Sequence, residues 1–519
     1  MGVRVRLRGY TVPEHRSRVY LNGVEIDDQT WSGQIGYTHE VAVPHSHLNE
    51  GGNTIRVEAV GSALNQFFVN WIEIDCWDTY VAENNQLLFG APNGGVFQFE
   101  ITDFQDNQIE VFDVTDPANV TRIINPSIIA NGGDYEIQFQ DTATAETRYL
   151  ALTAAQRKSP ASIELERPSS WRSATNGADY IIITHQDFYT RTQTLADHRS
   201  ASGMRVARVM IDDLYDEFND GIFNPPAIRD FLEYAYDNWV APAPSYVLLV
   251  GDAYYDYKDN LGQGIENYVP SQLVETPSLG QTASDNWFVL LEGDDILPDM
   301  FIGRLTPRYR SHATRMLNKI ISYDQNPPDQ SWNTNVLLVA DDDSDDFETT
   351  SEQLADRLPY YYAVNRVYAR DYPPGDPRDD ITDIINSGSI LVNYAGHGSV
   401  YTWGTWGSNY ANIFTGSNVD QLTNTNKLPV VTIADCLNGY FVDQNASMAE
   451  KFLLQEDRGA LGVWASTGLG YPSAHRAMMG AFYDAIFQGD IYGLGEATTL
   501  AKIAAYNQNP FSWDELVQT

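Results

Sequence analysis

The chain has 519 residues, 43% of them hydrophobic, and 70 acidic against 32 basic side chains give a formal net charge of -38. Such a length is expected to hold several domains, each with its own core. The charge excludes nucleic-acid binding, which needs clustered Lys and Arg, and disfavours anionic membrane surfaces. No run of about 18 apolar residues offers a membrane-spanning helix, so no membrane insertion is expected. The acidity reads mainly as solubilising, with attraction of cationic peptides as a secondary effect.

The opening stretch, MGVRVRLRGY, alternates like a strand and lacks an apolar h-region; the expectation is an internal piece of a longer precursor, with the signal peptide elsewhere. Cys76 and Cys436 fall in different expected domains, so no disulfide framework is indicated. Residues 1–84 read as a jelly-roll-like β-sandwich, with Asn22-Gly23 turning a hairpin between alternating runs. Trp31, Trp71 and Trp77 are expected in its core rather than stacked on a sugar. Residues 85–156 form a second β-rich module or a continuation of the first, and 157–176, polar and carrying Pro160 and Pro168, read as a linker.

From 177 onward strands alternate with helices, the mark of an α/β domain. Strands are expected over 179–184, 205–211, 246–250 and 300–303, with helices over 190–202, 227–239 and 312–323; these make a first subdomain over 177–330. A second, over 331–519, begins at Val336, ends in a helix-like run over 495–506 and the turn Asn509-Pro510, and gives the unit two adjacent parallel-rich sheets covered by helices.

Within the second subdomain, the apolar run 390–394 leads into Ala395-Gly396-His397-Gly398, and the run 428–434 leads into Asp435-Cys436. In open α/β sheets ligands bind beyond the carboxyl ends of the strands, so His397 and Cys436 are placed to face each other over one crevice. A thiol with a pKa of about 8.5 is mostly protonated at neutral pH, and a neighbouring imidazole remedies that. The glycines beside His397 allow positive φ and a close approach of substrate. The N–H groups of Gly398 and Cys436 are candidate oxyanion donors, worth roughly 2.7–4 kcal/mol each in acyl transfer.

The order of these motifs resembles the caspase-like clan of cysteine peptidases, and the surrounding phrases resemble the gingipain family within it. Those phrases are GADYIIITHQDF (177–188), YVLLVGDAYYD (246–256), ASDNWF (283–288), DMFIGRL (299–305), LLVADDDSDDFE (337–348), NYAGHGS (393–399), IADCLNGYF (433–441) and GALGVWASTG (459–468). The resemblance implies a caspase-like fold and an extracellular or cell-surface cysteine endopeptidase acting on polypeptides, cleaving after Arg or Lys. Cys436 is then the nucleophile and His397 the proton shuttle. It also implies Asp285 as an S1 acid, or else a turn residue, and Glu275 as the acid orienting His397; Trp464 and Tyr471 either wall the pocket or belong to the core.

No cofactor is needed for such chemistry. A structural calcium is the expectation for Asp341, Asp343 and Asp345, which resemble an EF-hand loop except for Asp346 where Gly belongs; a solvated acidic loop is the alternative. Arg157, Lys158, Arg167 and Arg172 suit either a processing site or a solvated linker. The N-terminal sandwich reads as an inhibitory, substrate-delivering or partner-docking module. Two other functions remain open: a sortase-like transpeptidase using the same Cys–His chemistry, and a catalytically idle binding scaffold.

Overall fold

The computed structural model describes all residues except 12–13, 50, 62–63, 164, 166–167, 277–278, 328–329, 373–374, 408–410 and 509–519. Arg167 and the turn expected at Asn509-Pro510 therefore lie outside the described residues. The chain divides into two units, Met1–Arg167 and Pro168–Thr519.

In the first unit, strand Gly2–Gly9 lies between Gly36–Ala42 and Phe67–Asp75, and Glu14–Leu21 lies between Val24–Ser32 and Ile55–Ala59, all antiparallel. Val3, Val5, Leu7, Val19, Leu21 and Trp31 make the core of this part. Asn22 and Gly23, at φ 49° and 85°, turn the hairpin that pairs Leu21 with Val24. The second β-rich stretch has its own core cluster around Phe89, Phe99, Phe139 and Tyr149 within that same unit. The expected burial of the tryptophans holds for Trp31 alone. Trp71 and Trp77 are 41% and 73% exposed. Trp71 stands opposite Arg6 on an edge strand, in the register of Arg4 and Arg6, whose side of the sheet faces away from the core.

The second unit holds two parallel sheets. One has the order Val206–Met210, Tyr180–Thr184, Tyr246–Val250, Phe301–Leu305; the other, Ala363–Tyr368, Asn335–Ala340, Leu391–Ala395, Val430–Ala434, Gly462–Ala465. Each is covered on both faces, with separate core clusters on either side, which is why its central strands are almost continuously apolar. Side-chain caps start some of the flanking helices: Ser344 before Asp345–Ala355, Asp376 before Pro377–Ser387, and Ser447 in a capping box with Glu450. The expected helices are present; that over 227–239 spans Pro226–Asn238, and the others are longer. That over 190–202 begins at Gln186, where His185 caps Asp187 N–H, and that over 495–506 spans Leu494–Gln508.

The two sheets are joined through the buried Lys319 and the partly buried Arg308. The Lys319 ammonium, on helix Arg310–Gln325, donates to the carbonyls of Phe452, Leu453, Arg458 and Ala460 at 2.8–3.4 Å. Arg308 binds Asp252 and donates to the carbonyls of Asp443 and Gln444. An antiparallel hairpin, Gln272–Thr276 with Gly280–Ser284, was not anticipated; its polar residues carry no strand periodicity.

Candidate active site

Strands Leu391–Ala395 and Val430–Ala434 pair in parallel, with Ala395 opposite Ala434. His397 and Cys436 each follow that last pair by two residues, so both loops leave the sheet at the same level and side by side.

The glycines around His397 are required for space. A Cβ on Gly398 would lie 2.0 Å from Asp435 Oδ2 and 2.8 Å from the Cys436 carbonyl oxygen; on Gly396 it would meet the Tyr394 hydroxyl at 2.3 Å, and on Gly404, Asp341 Oδ2 at 2.1 Å. Neither Gly396 nor Gly398 has positive φ, so the conformational freedom expected of them is not used. Close approach is, and it brings the backbones of the two candidate oxyanion donors, Gly398 and Cys436, against each other.

The His397 peptide is held from both ends. Its N–H donates to Asp341 Oδ2 at 2.9 Å, and its carbonyl accepts from the Tyr394 hydroxyl and from Gly404 N–H, each at 2.7 Å. Tyr394 is itself buried, stacked on Trp403 with centroids 4.5 Å apart. Burial raises the Asp341 carboxyl above its ordinary range, against the N–H groups of His397 and Asp342 that lower it. The imidazole is 65% exposed, with Nε2 3.9 Å from Asp343 Oδ2 and the ring edge-on to Phe347. Asp343 is thus the carboxylate beside the ring, whereas Glu275 sits exposed on the hairpin opposite Gln281.

Cys436 is partly buried. Gly470 N–H donates to its Sγ at 3.5 Å, and the thiol donates to Gly470 O at 3.8 Å. Burial pushes the thiol pKa up, Asp435 adds to this, and the Gly470 contact opposes it. Asp435 is 1% exposed, and burial raises its carboxyl well above the usual range. Leu437 takes φ 66°, a strained conformation for a branched side chain that bends the chain sharply after Cys436. The loop bearing Gly470 is fastened to the hairpin: Thr282 donates to Thr467 O at 2.5 Å and Thr467 to Ala283 O at 2.6 Å.

The remaining predicted residues divide. Asp285 is clamped bidentately by Arg304, at 2.6 and 2.8 Å, and accepts from Ser271 at 2.9 Å; Arg304, 5% exposed, spends its other N–H groups on the carbonyls of Gly251, Val269 and Pro270. Trp464 lies in strand Gly462–Ala465 and packs on Phe482, while Tyr471 is half exposed at the start of helix Pro472–Phe487. Carboxylate oxygens of Asp341, Asp342 and Asp343 lie within 4.8 Å of one another, an all-oxygen set that suits a hard cation. Asp345 is outside that group, paired with Arg370. Asn438 and Gly470 carry no local sequence signal, because their partners are brought to them only by the fold.

Two adjacent parallel sheets, with a histidine and a cysteine beyond neighbouring strand tips of one of them, define the caspase-like class of cysteine peptidase folds. The chain belongs to peptidase family C25, whose family model matches residues 173–518. It is similar to gingipain R2 and gingipain R1 of Porphyromonas gingivalis, in each case 26% identical over 298 residues, or 55% of this chain and 36% and 27% of theirs. The chain thus spans about a third of the length of these curated relatives. Among solved structures it is similar to the Arg-specific cysteine proteinase gingipain R, with a TM-score of 0.55, 24% identity and coverage of 66% of this chain and 76% of that one. A complex of the pro- and mature domains of Porphyromonas gingivalis RgpB gives 0.54, 22%, 66% and 77%.

Proposed function

We propose that the protein is a cysteine endopeptidase. Cys436 Sγ attacks the scissile carbonyl carbon, and His397 takes the thiol proton and returns it to the leaving amine. A thioester forms and water hydrolyses it. The observation that carries the reading is the paired register of the two strands, which sets His397 and Cys436 at one level with Gly398 packed against the nucleophile's own carbonyl. The reading requires the imidazole, exposed and 3.9 Å from Asp343, to turn toward the thiol; catalytic hydrogen bonds commonly tighten only with substrate bound.

Cleavage after Arg or Lys is the finer reading. Its support is the Arg specificity in the name of one structural relative and the acidity of this chain. Asp285 does not supply it, because Arg304 already occupies its carboxylate. A structural Ca²⁺ would be held by Asp341, Asp342 and Asp343, and a rise in melting temperature with Ca²⁺ that a chelator reverses is its test. An extracellular or cell-surface setting and a docking role for the N-terminal sandwich complete the proposal; among the described residues no helix is long and apolar enough to cross a membrane.

The test is a positional-scanning peptide library with the intact protein and its C436A and H397A variants, plus labelling by a peptidyl acyloxymethyl ketone. The endopeptidase reading expects turnover lost in both variants and the label on Cys436. Unlabelled Cys436 and no turnover in the wild type would leave the binding scaffold. Capture of an added amine in place of hydrolysis would indicate a transpeptidase.

A further inference from the structure

Past Ala395 and Ala434 the sheet can no longer hold the two catalytic loops in register, because their backbones leave the ladder after the 3.2 Å bond from Gly396 N–H to Ala434 O. A histidine and a cysteine on separate loops need a further tie, since a misplacement of about 1 Å costs on the order of 100-fold in rate.

We infer that Asn438 is the positioning residue that ties the histidine loop to the nucleophile loop. It stands two residues after Cys436 and is 0% exposed. Its side-chain amide donates to Ser399 O at 2.5 Å and to Thr402 O at 3.2 Å. Ser399 and Thr402 face each other across the short hairpin of Gly398–Ser399 with Thr402–Trp403, whose first strand directly follows His397. One amide group therefore bridges the turn end of that hairpin, and a carboxamide is the side chain of this length that brings two N–H donors to two carbonyls without burying a charge.

Asn438 is held in turn. Its own carbonyl accepts from Ala449 N–H at 3.0 Å, and the adjacent Met448 N–H donates to Val400 O at 2.8 Å, so the start of helix Met448–Leu454 grips both loops. The flanking residues are fixed as well, by Leu437 N–H to Gly468 O and Gly439 N–H to Ser466 O. Position 438 has no freedom to drift, and its amide transmits that rigidity to the imidazole side.

The inference rests on the peptidase reading, and the experiment separates the two. Full-length wild type, N438D, N438A and H397A are compared for kcat and KM on a cleaved peptide, for melting temperature, and for the pH dependence of Cys436 alkylation by iodoacetamide. N438D keeps the shape and replaces both donors by acceptors facing carbonyls. The expected result is a fall in kcat of about 100-fold or more with KM within about threefold. Melting falls in both variants, because two carbonyls lose their buried donor, so rates are compared at a temperature where each variant is folded, and there the neutral-pH limb of alkylation is lost as in H397A. A wild type without turnover, whose alkylation profile matches H397A, overturns the peptidase reading and the tie with it. An active wild type overturns the tie alone if N438D retains its kcat, or if N438D and N438A keep the wild-type alkylation profile.

Discussion

The Cα of Gly398 lies so close to the carboxyl of Asp435 that a methyl group there would sit 2.0 Å from Oδ2. The histidine motif and the residue before the nucleophile are therefore in direct contact.

Gly398→Ala is expected to push the two loops apart, lowering peptide turnover and costing about 1–3 kcal/mol as overpacking does. Melting curves and steady-state rates check it. Adding Asp435→Ala removes the clashing atoms, so the double variant should recover part of the loss; strictly additive effects would show that the contact does not limit the site.

Asp285→Asn should act on stability. Breaking the buried pair with Arg304 leaves an uncompensated guanidinium, a change that costs about 3–5 kcal/mol in comparable sites. Thermal unfolding together with the library profile tests this. A variant that melts normally but stops accepting Arg would instead assign Asp285 to the S1 pocket.

Lys319→Met should destabilise the second unit by about 2–4 kcal/mol, because four carbonyls lose their donor in a place closed to water. Denaturant unfolding followed by tryptophan fluorescence measures it. An unchanged midpoint would mean that water replaces the ammonium.

The buried carboxyls of Asp252 and Glu450, grouped around Arg308, should give stability an unusual pH dependence. Burial raises both, Asp252 to about 6, while Arg308 pulls each the other way. A folded-state pKa above the unfolded value means that the folded protein binds more protons, so the contribution of Asp252 falls as pH rises from about 4 to about 6, and that of Glu450 falls likewise as pH rises above the ordinary carboxylate range. Glu450→Gln should flatten that slope in melting temperatures across the window. A slope equal to wild type would remove Glu450 from it.

For the thiol, burial as the leading influence predicts slow alkylation of Cys436 at neutral pH once His397 is replaced, with the rate rising only in alkali. Stopped iodoacetamide reactions followed by mass spectrometry of the peptide bearing Cys436 read this directly. An H397A profile equal to wild type would show that the imidazole does not assist the thiol.

By itself the sequence determined the two-sheet α/β unit and the placement of His397 and Cys436 just beyond the ends of two neighbouring strands. Buried parallel strands must be apolar over their whole length, and the residues that end them are then conspicuous. It also marked the Asn22-Gly23 hairpin, since few dipeptides tolerate two successive positive φ angles. What only the tertiary structure decided is which charge faces which. Asp285 is spent on Arg304, Asp343 stands 3.9 Å from the imidazole, Asp342 replaces Asp345 in the acidic trio, and Asn438 reaches across to Ser399 and Thr402. A polar residue's partner depends on distances between segments far apart in the chain, and no local periodicity records those distances.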